Sequence, residues 1–157
     1  MRNPPALARA LALLVPAVAL AAAYGSQYWG GLSPCEMCWW QRYAHFAALP
    51  FALAAFFVSG RVLVWLAALA IAVSGAIGFY HAGVELHYFK GLTTCTATVT
   101  GGSAEDFLKA IMDTPLVRCD DIQWSFLGIS MAGWNAILSL SSALLILWLS
   151  LRRTRTS

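Results

Sequence analysis

Four apolar blocks alternate with polar connections along the chain: Leu7 to Gln27, Trp40 to Val58, Val62 to His81 and Phe126 to Leu151. A helix of about 20 residues crosses roughly 30 Å of hydrocarbon. The pattern therefore predicts an all-α integral membrane fold, a four-transmembrane-helix bundle forming one domain over residues 1–157. The connections are unequal. Ser59-Gly60-Arg61 has room only for a turn, which makes the second and third helices antiparallel neighbours. Ala54, Ala55, Ala67, Ala68, Ala70, Ala72, Ser74, Gly75, Ala76 and Gly78 would let those two helices approach closely. Pro16 and Pro50 each remove a helical donor inside an apolar block, a loss that membrane helices tolerate when neighbours or water satisfy the freed carbonyl.

Two longer loops, about 28–39 and 82–125, fall on the opposite face from that turn. The second is too polar to span and long for an unstructured connection. Within it, Ser103-Ala104-Glu105-Asp106 reads as a helix N-cap, followed by an apolar face of Phe107, Leu108, Ile111 and Met112 and a stop at Asp113-Thr114-Pro115. This predicts a short helix lying on the membrane surface. The β-branched run Thr93 to Thr100 is expected to be extended and able to offer backbone groups to another protein.

Charge sets the orientation. The chain is 60% apolar and 11% charged, and Lys and Arg in short loops favour the cytoplasm. Arg2, Arg9, Arg61, Arg152, Arg153 and Arg155 gather at one side, whereas all seven acids lie in the two opposite segments. Both termini are thus expected in the cytoplasm and all four cysteines on the outer face, in an oxidising space such as the periplasm. The net charge of +3 calls for no nucleic acid, because the basic residues sit where orientation and snorkelling in membrane lipid place them. Met1 to Ala23, with its Ala21-Ala22-Ala23, also has features of a cleavable secretory signal; cleavage would leave the cysteines outside all the same.

Cys35 and Cys38 form a Cys-x-x-Cys pair just before the second apolar block. Two intervening residues let the sulfurs meet across one turn, and a helix starting at the second cysteine would present free N–H groups to its thiolate. Cys38 is the expected nucleophile, with Arg42 at i+4 to favour a thiolate or a nearby anionic ligand. A headgroup-facing cation is the alternative for Arg42. For His45, packing plus a local hydrogen bond is the plainer account, and Trp39, Trp40 and Tyr43 suit the membrane-interface belt. Cys95 and Cys119 enclose 23 residues. A structural disulfide there would contribute about 3 kcal/mol by loop closure, but a crosslink in an external loop is also open to thiol exchange, the reading favoured by a second redox pair at the same face. Zinc on the four cysteines with His81 and His87 is set aside, since the later cysteines lack paired ligand spacing.

At these residues the chain resembles the DsbB family, quinone-dependent membrane proteins that generate disulfides. The likeness rests on the four-helix layout, the Pro34-Cys35-x-x-Cys38 segment with Arg42 beyond it, the two loop cysteines, and Cys119-Asp120-Asp121-Ile122-Gln123-Trp124-Ser125-Phe126-Leu127-Gly128 leading into the last helix. It implies a thiol:quinone oxidoreductase in which a Cys95–Cys119 disulfide is attacked at Cys95 by a reduced periplasmic DsbA-like thiol oxidase. Two electrons then pass to Cys35 and Cys38, and from there to the quinone pool, as ubiquinone or menaquinone. The resemblance places Cys38 against the quinone ring, Arg42 beside a quinone oxygen and Met131 in the quinone pocket, although packing accounts equally well for a methionine there. Gln41 stands where the family would suggest an acid, and His81 and His87 lie in a less similar stretch and receive no role. The alternatives are a membrane thiol conduit resembling the vitamin K epoxide reductases, whose quinone-facing pair comes late in the bundle, and a scaffold with two structural disulfides.

Overall fold

A computed structural model describes residues 4–91, 103, 105 and 117–152. Among these, four long helices carry most of the chain: α1 (Ala6–Tyr28), α2 (Glu36–Phe57), α3 (Val62–Glu85) and α4 (Met131–Leu151). A two-residue hairpin, β1 (Ser125–Phe126) and β2 (Ile129–Ser130), precedes α4 and pairs Ser125 with Ser130 and Phe126 with Ile129. Leu127 and Gly128 between them both adopt positive φ, 53° and 77°. That is the twist a two-residue turn between antiparallel strands demands.

Helix α3 packs against both α2 and α4, and α1 closes the bundle against α2 and α4. The interior is built from small side chains. Ala8, Ala12, Ala48, Ala52, Ala55, Ala67 and Ala68 are wholly buried, with Val64, Ile71 and Ile146 filling between them. Large apolar residues point outwards instead, among them Leu14, Leu69, Phe79 and Leu144. Small inside and large apolar outside is the arrangement of helices solvated by lipid, where close backbone approach rather than burial of bulk holds the bundle. Three helices, α1, α3 and α4, are long and apolar enough to cross a membrane. The fourth, α2, carries Glu36, Arg42 and His45 in its first three turns.

Several boundaries differ from the sequence expectation. Helix α2 starts at Glu36 rather than Trp40, because Cys35 adopts extended backbone and caps it. Helix α3 continues to Glu85, past the end of its apolar block. Helix α4 begins at Met131 rather than Phe126, since residues 125–130 form the hairpin and Ser130 Oγ accepts from Gly133 N–H at 3.1 Å. The small residues also serve a different contact. A Cβ on Gly75 would lie 2.8 Å from Leu140 Cγ, and one on Gly78 would lie 2.9 Å from the Ala132 carbonyl oxygen. These two glycines let α3 approach α4, not α2. The extended run at 93–100 and the surface helix near 103–112 lie outside the described residues, apart from Ser103 and Glu105.

Candidate functional site

The head of α2 gathers the thiols. Cys35 at the N-cap has φ −77° and ψ 174°, which turns its side chain back over the first turn, where Sγ accepts from Cys38 N–H at 3.3 Å. The sequence reading gave the free helix N–H groups to Cys38. One of them, that of Cys38 itself, serves Cys35 instead, because Cys35 is the capping residue and Cys38 already lies within the first turn. The two sulfurs are 2.9 Å apart, with Cys35 donating to Cys38. That hydrogen bond, and then burial, push the Cys35 thiol well above the usual thiol range, so Cys35 holds the proton of the pair.

Cys119, from the connection into the hairpin, is 3% exposed and joins Cys35, Met37 and Val84 in one buried cluster, with Cys38, Trp40, Tyr80 and Val117 packed around it. Three of the four cysteines thus meet at one place. Cys95 lies outside the described residues.

Arg42 follows one turn beyond Cys38 and does not snorkel; it is 6% exposed. Its guanidinium donates to Gln27 Oε1 at 2.5 Å and to the Ala23 carbonyl at 3.0 Å, and lies 4.7 Å from the Tyr24 ring centroid and 5.0 Å from that of Trp39. A charge so placed is held by the last turns of α1 and by two aromatic faces. Met131 opens α4 with its sulfur 3.9 Å from Ser26 Oγ, one residue from the Gln27 that binds Arg42. The segment Ala23 to Gln27 therefore touches both residues expected at the quinone.

Below the thiols, buried polar side chains tie three helices together. His81 Nε2 lies 3.6 Å from Cys35 Sγ, and its Nδ1 lies 3.0 Å from Gln41 Nε2. Gln41 Oε1 accepts from Asn135 Nδ2 at 2.8 Å, while Ser74 Oγ donates to the Gln41 carbonyl. Asn135 Oδ1 accepts from His45 and from Ser139. Glu85, one turn after His81, comes within 3.9 Å of its Nε2.

The expected family match is borne out by comparison with known proteins. The family model described as disulfide bond formation protein DsbB matches residues 5–149. The chain belongs to the DsbB family. Its relatives include a disulfide bond formation protein B of Marinobacter nauticus, 30% identical over 91% of this chain and 90% of that protein. Others are one of Xanthomonas euvesicatoria, 32% identical over 81% and 79%, and one of Paracidovorax citrulli, 31% identical over 94% and 89%. No solved structure matches. A DsbB family chain with three membrane-length apolar helices is a multi-pass membrane protein of disulfide bond formation.

What sequence reasoning missed within this DsbB chain is the support beneath the thiols. His81, Glu85 and Asn135 were assigned nothing, yet all three bear on the cluster. A usable signal existed: His81 and Glu85 stand at i and i+4 near the end of an apolar helix, and ionisable residues on membrane helices mark functional sites by default. Judging metal ligands by spacing alone also overlooked that the fold carries His81 to the pair. The ligand atoms of Cys35, Cys38 and His81 all fall within 4.8 Å of one another. Because Gln41 donates to His81 Nδ1, however, Nε2 bears the ring proton and presents a donor to sulfur rather than a lone pair to a cation.

Proposed function

We propose that this chain is a thiol:quinone oxidoreductase that reoxidises a periplasmic DsbA-like oxidase and delivers two electrons to a membrane quinone. The observation that supports it most is the burial of Cys119 in one cluster with Cys35, the proton-bearing half of a hydrogen-bonded dithiol. In this reading all four helices span the membrane, the termini are cytoplasmic, and the four cysteines are periplasmic.

The reduced partner's thiolate attacks a Cys95–Cys119 disulfide at Cys95, and Cys119 leaves. Cys119 then attacks Cys35, its neighbour in the cluster, when the pair is in its oxidised, Cys35–Cys38 disulfide form; a Cys119–Cys35 bond forms, the Cys35–Cys38 bond breaks and Cys38 is the leaving sulfur. Each exchange forms one S–S bond and breaks another, with no net oxidation until electrons depart at the Cys38 end. Arg42 stabilises negative charge as it develops there, from a position fixed by Gln27, Ala23 and two rings. The same cation and aromatic faces suit a flat ring bearing carbonyl oxygens, so Arg42, Cys38 and Met131 are the residues that would hold quinone. Bound quinone supplies the two-electron sink.

The test is quinone absorbance after mixing purified protein with ubiquinone or menaquinone and a reduced thioredoxin-fold oxidase. Consumption of oxidised quinone is expected, and it should vanish in Cys38→Ser and in Cys95→Ser. Turnover that survives either substitution, or none by folded protein with either quinone, would refute the relay.

A further inference from the structure

Gln41 settles which nitrogen of His81 carries the proton. Its Nε2 donates to the Met37 carbonyl at 3.1 Å, an oxygen that can only accept, which fixes the amide's orientation. Its Oε1 accepts from Asn135 Nδ2, itself fixed by donation to the Ser74 carbonyl at 3.2 Å. With Gln41 Nε2 3.0 Å away, His81 Nδ1 must accept, and the neutral ring bears its hydrogen on Nε2. That one hydrogen bonds to the backbone carbonyl of Cys119 and also faces the Cys35 sulfur at 3.6 Å, so the two acceptors share it and the ring helps seat the residue that exchanges with Cys35.

We infer that His81 is a catalytic residue of thiol exchange, whose Nε2–H donates to the Cys35 sulfur whenever exchange leaves an electron pair there, and that Gln41 is the positioning residue that keeps the proton on Nε2. The role rests on the relay proposed above. The step concerned is attack by an incoming cysteine thiolate on the Cys119 sulfur of a Cys35–Cys119 disulfide. A new S–S bond forms at Cys119, the Cys119–Cys35 bond breaks, and the electron pair departs on Cys35; no proton moves and the count of oxidised sulfurs is unchanged. That charge lands on a residue only 3% exposed. The groups that face it are Cys38 on α2, His81 on α3 and Cys119 on the way to α4, with Arg42 and Glu85 acting on the adjoining Cys38 and Glu85 also 3.9 Å from His81. Cys38 N–H supplies one donor to the Cys35 sulfur, and the His81 Nε2–H, shared with the Cys119 carbonyl until charge gathers on the sulfur, is the second. A leaving thiolate departs faster when its charge is hydrogen-bonded.

The experiment isolates Cys35 as the only thiol, in protein carrying Cys38→Ser, Cys95→Ser and Cys119→Ser in lipid nanodiscs, and follows iodoacetamide alkylation against pH. It uses neither quinone nor partner, so its failure is separate from failure of the relay. His81→Ala is expected to slow alkylation about tenfold at a fixed pH below the midpoint, an upward move of about one pH unit. His81→Gln, which retains an N–H donor, should recover part of the rate, and Gln41→Leu should move the profile in the same direction as His81→Ala. An unmoved profile in His81→Ala overturns the inference, as does a His81→Gln profile no better than that of alanine. In the unsubstituted protein, 15N shifts of the His81 ring should report Nε2–H. A ring protonated at Nδ1 instead would overturn it even where His81→Ala fails to fold.

Discussion

At the scale of single residues, Arg42 separates two halves of the proposed chemistry. It lies one turn beyond Cys38, held by Gln27, Ala23, Tyr24 and Trp39, so replacing it with glutamine should cost about 10²-fold in quinone reduction, the usual loss of one preorganised donor. Exchange with the partner protein should change far less, and stopped-flow measurement of the two steps separately checks this; equal losses would remove its assigned role. A second residue-scale outcome concerns pH. Arg118 grips Asp120 through two hydrogen bonds, at 2.9 and 2.6 Å, and holds its carboxyl down at about 2. A depressed carboxylate favours the folded segment at pH above its ordinary value near 3.9. The contribution fades as pH falls through about 2. Carboxyl 13C titration should therefore find Asp120 near 2 in the native chain and back in the ordinary range in Arg118→Ala.

At the scale of elements, the contact between α3 and α4 depends on two missing methyl groups. A Cβ on Gly78 would press on the Ala132 carbonyl, which is helix backbone and cannot swing aside. Gly78→Ala should therefore destabilise the protein by about 1–3 kcal/mol, the range for overpacking, read as an earlier thermal transition in detergent. Asn135 is the polar counterpart on the same seam, bonding Gln41, Ser74 and His45. Its replacement by leucine should cost on the order of 1–2 kcal/mol, since interhelical hydrogen bonds in membranes contribute modestly, and should also loosen the Gln41 amide. The helices themselves were legible from their apolar runs, and so was the nearness of Cys35 to Cys38. The start of α2 was not, because a cysteine at an N-cap breaks no hydrophobic pattern. Nor was the contact choice of Gly75 and Gly78, since small residues announce a close approach without naming the partner helix.

At the scale of the whole molecule, the fold places the thiols, the hairpin and the head of α2 at one end, and the short turn at Gly60 with the Trp65–Ser150 hydrogen bond at the other. The proposed orientation follows from the arginines at that second end. A fluorescent protein fused after Ser157 should glow while an alkaline phosphatase fusion at the same point stays inactive, and the reverse pattern would invert the topology. Placing Cys119 beside Cys35 required the tertiary fold, for 83 residues separate them. Its burial also bears on selectivity. A cysteine 3% exposed and packed against its proposed exchange partner would react at the high effective concentration of an intramolecular neighbour. Small thiols in the surrounding fluid, such as glutathione, must compete against that advantage and reach a sulfur closed to solvent. In the proposed relay the cluster thereby shields the step from Cys119 to Cys35 from the bulk thiol pool, so that reducing equivalents that have passed Cys95 stay within the protein.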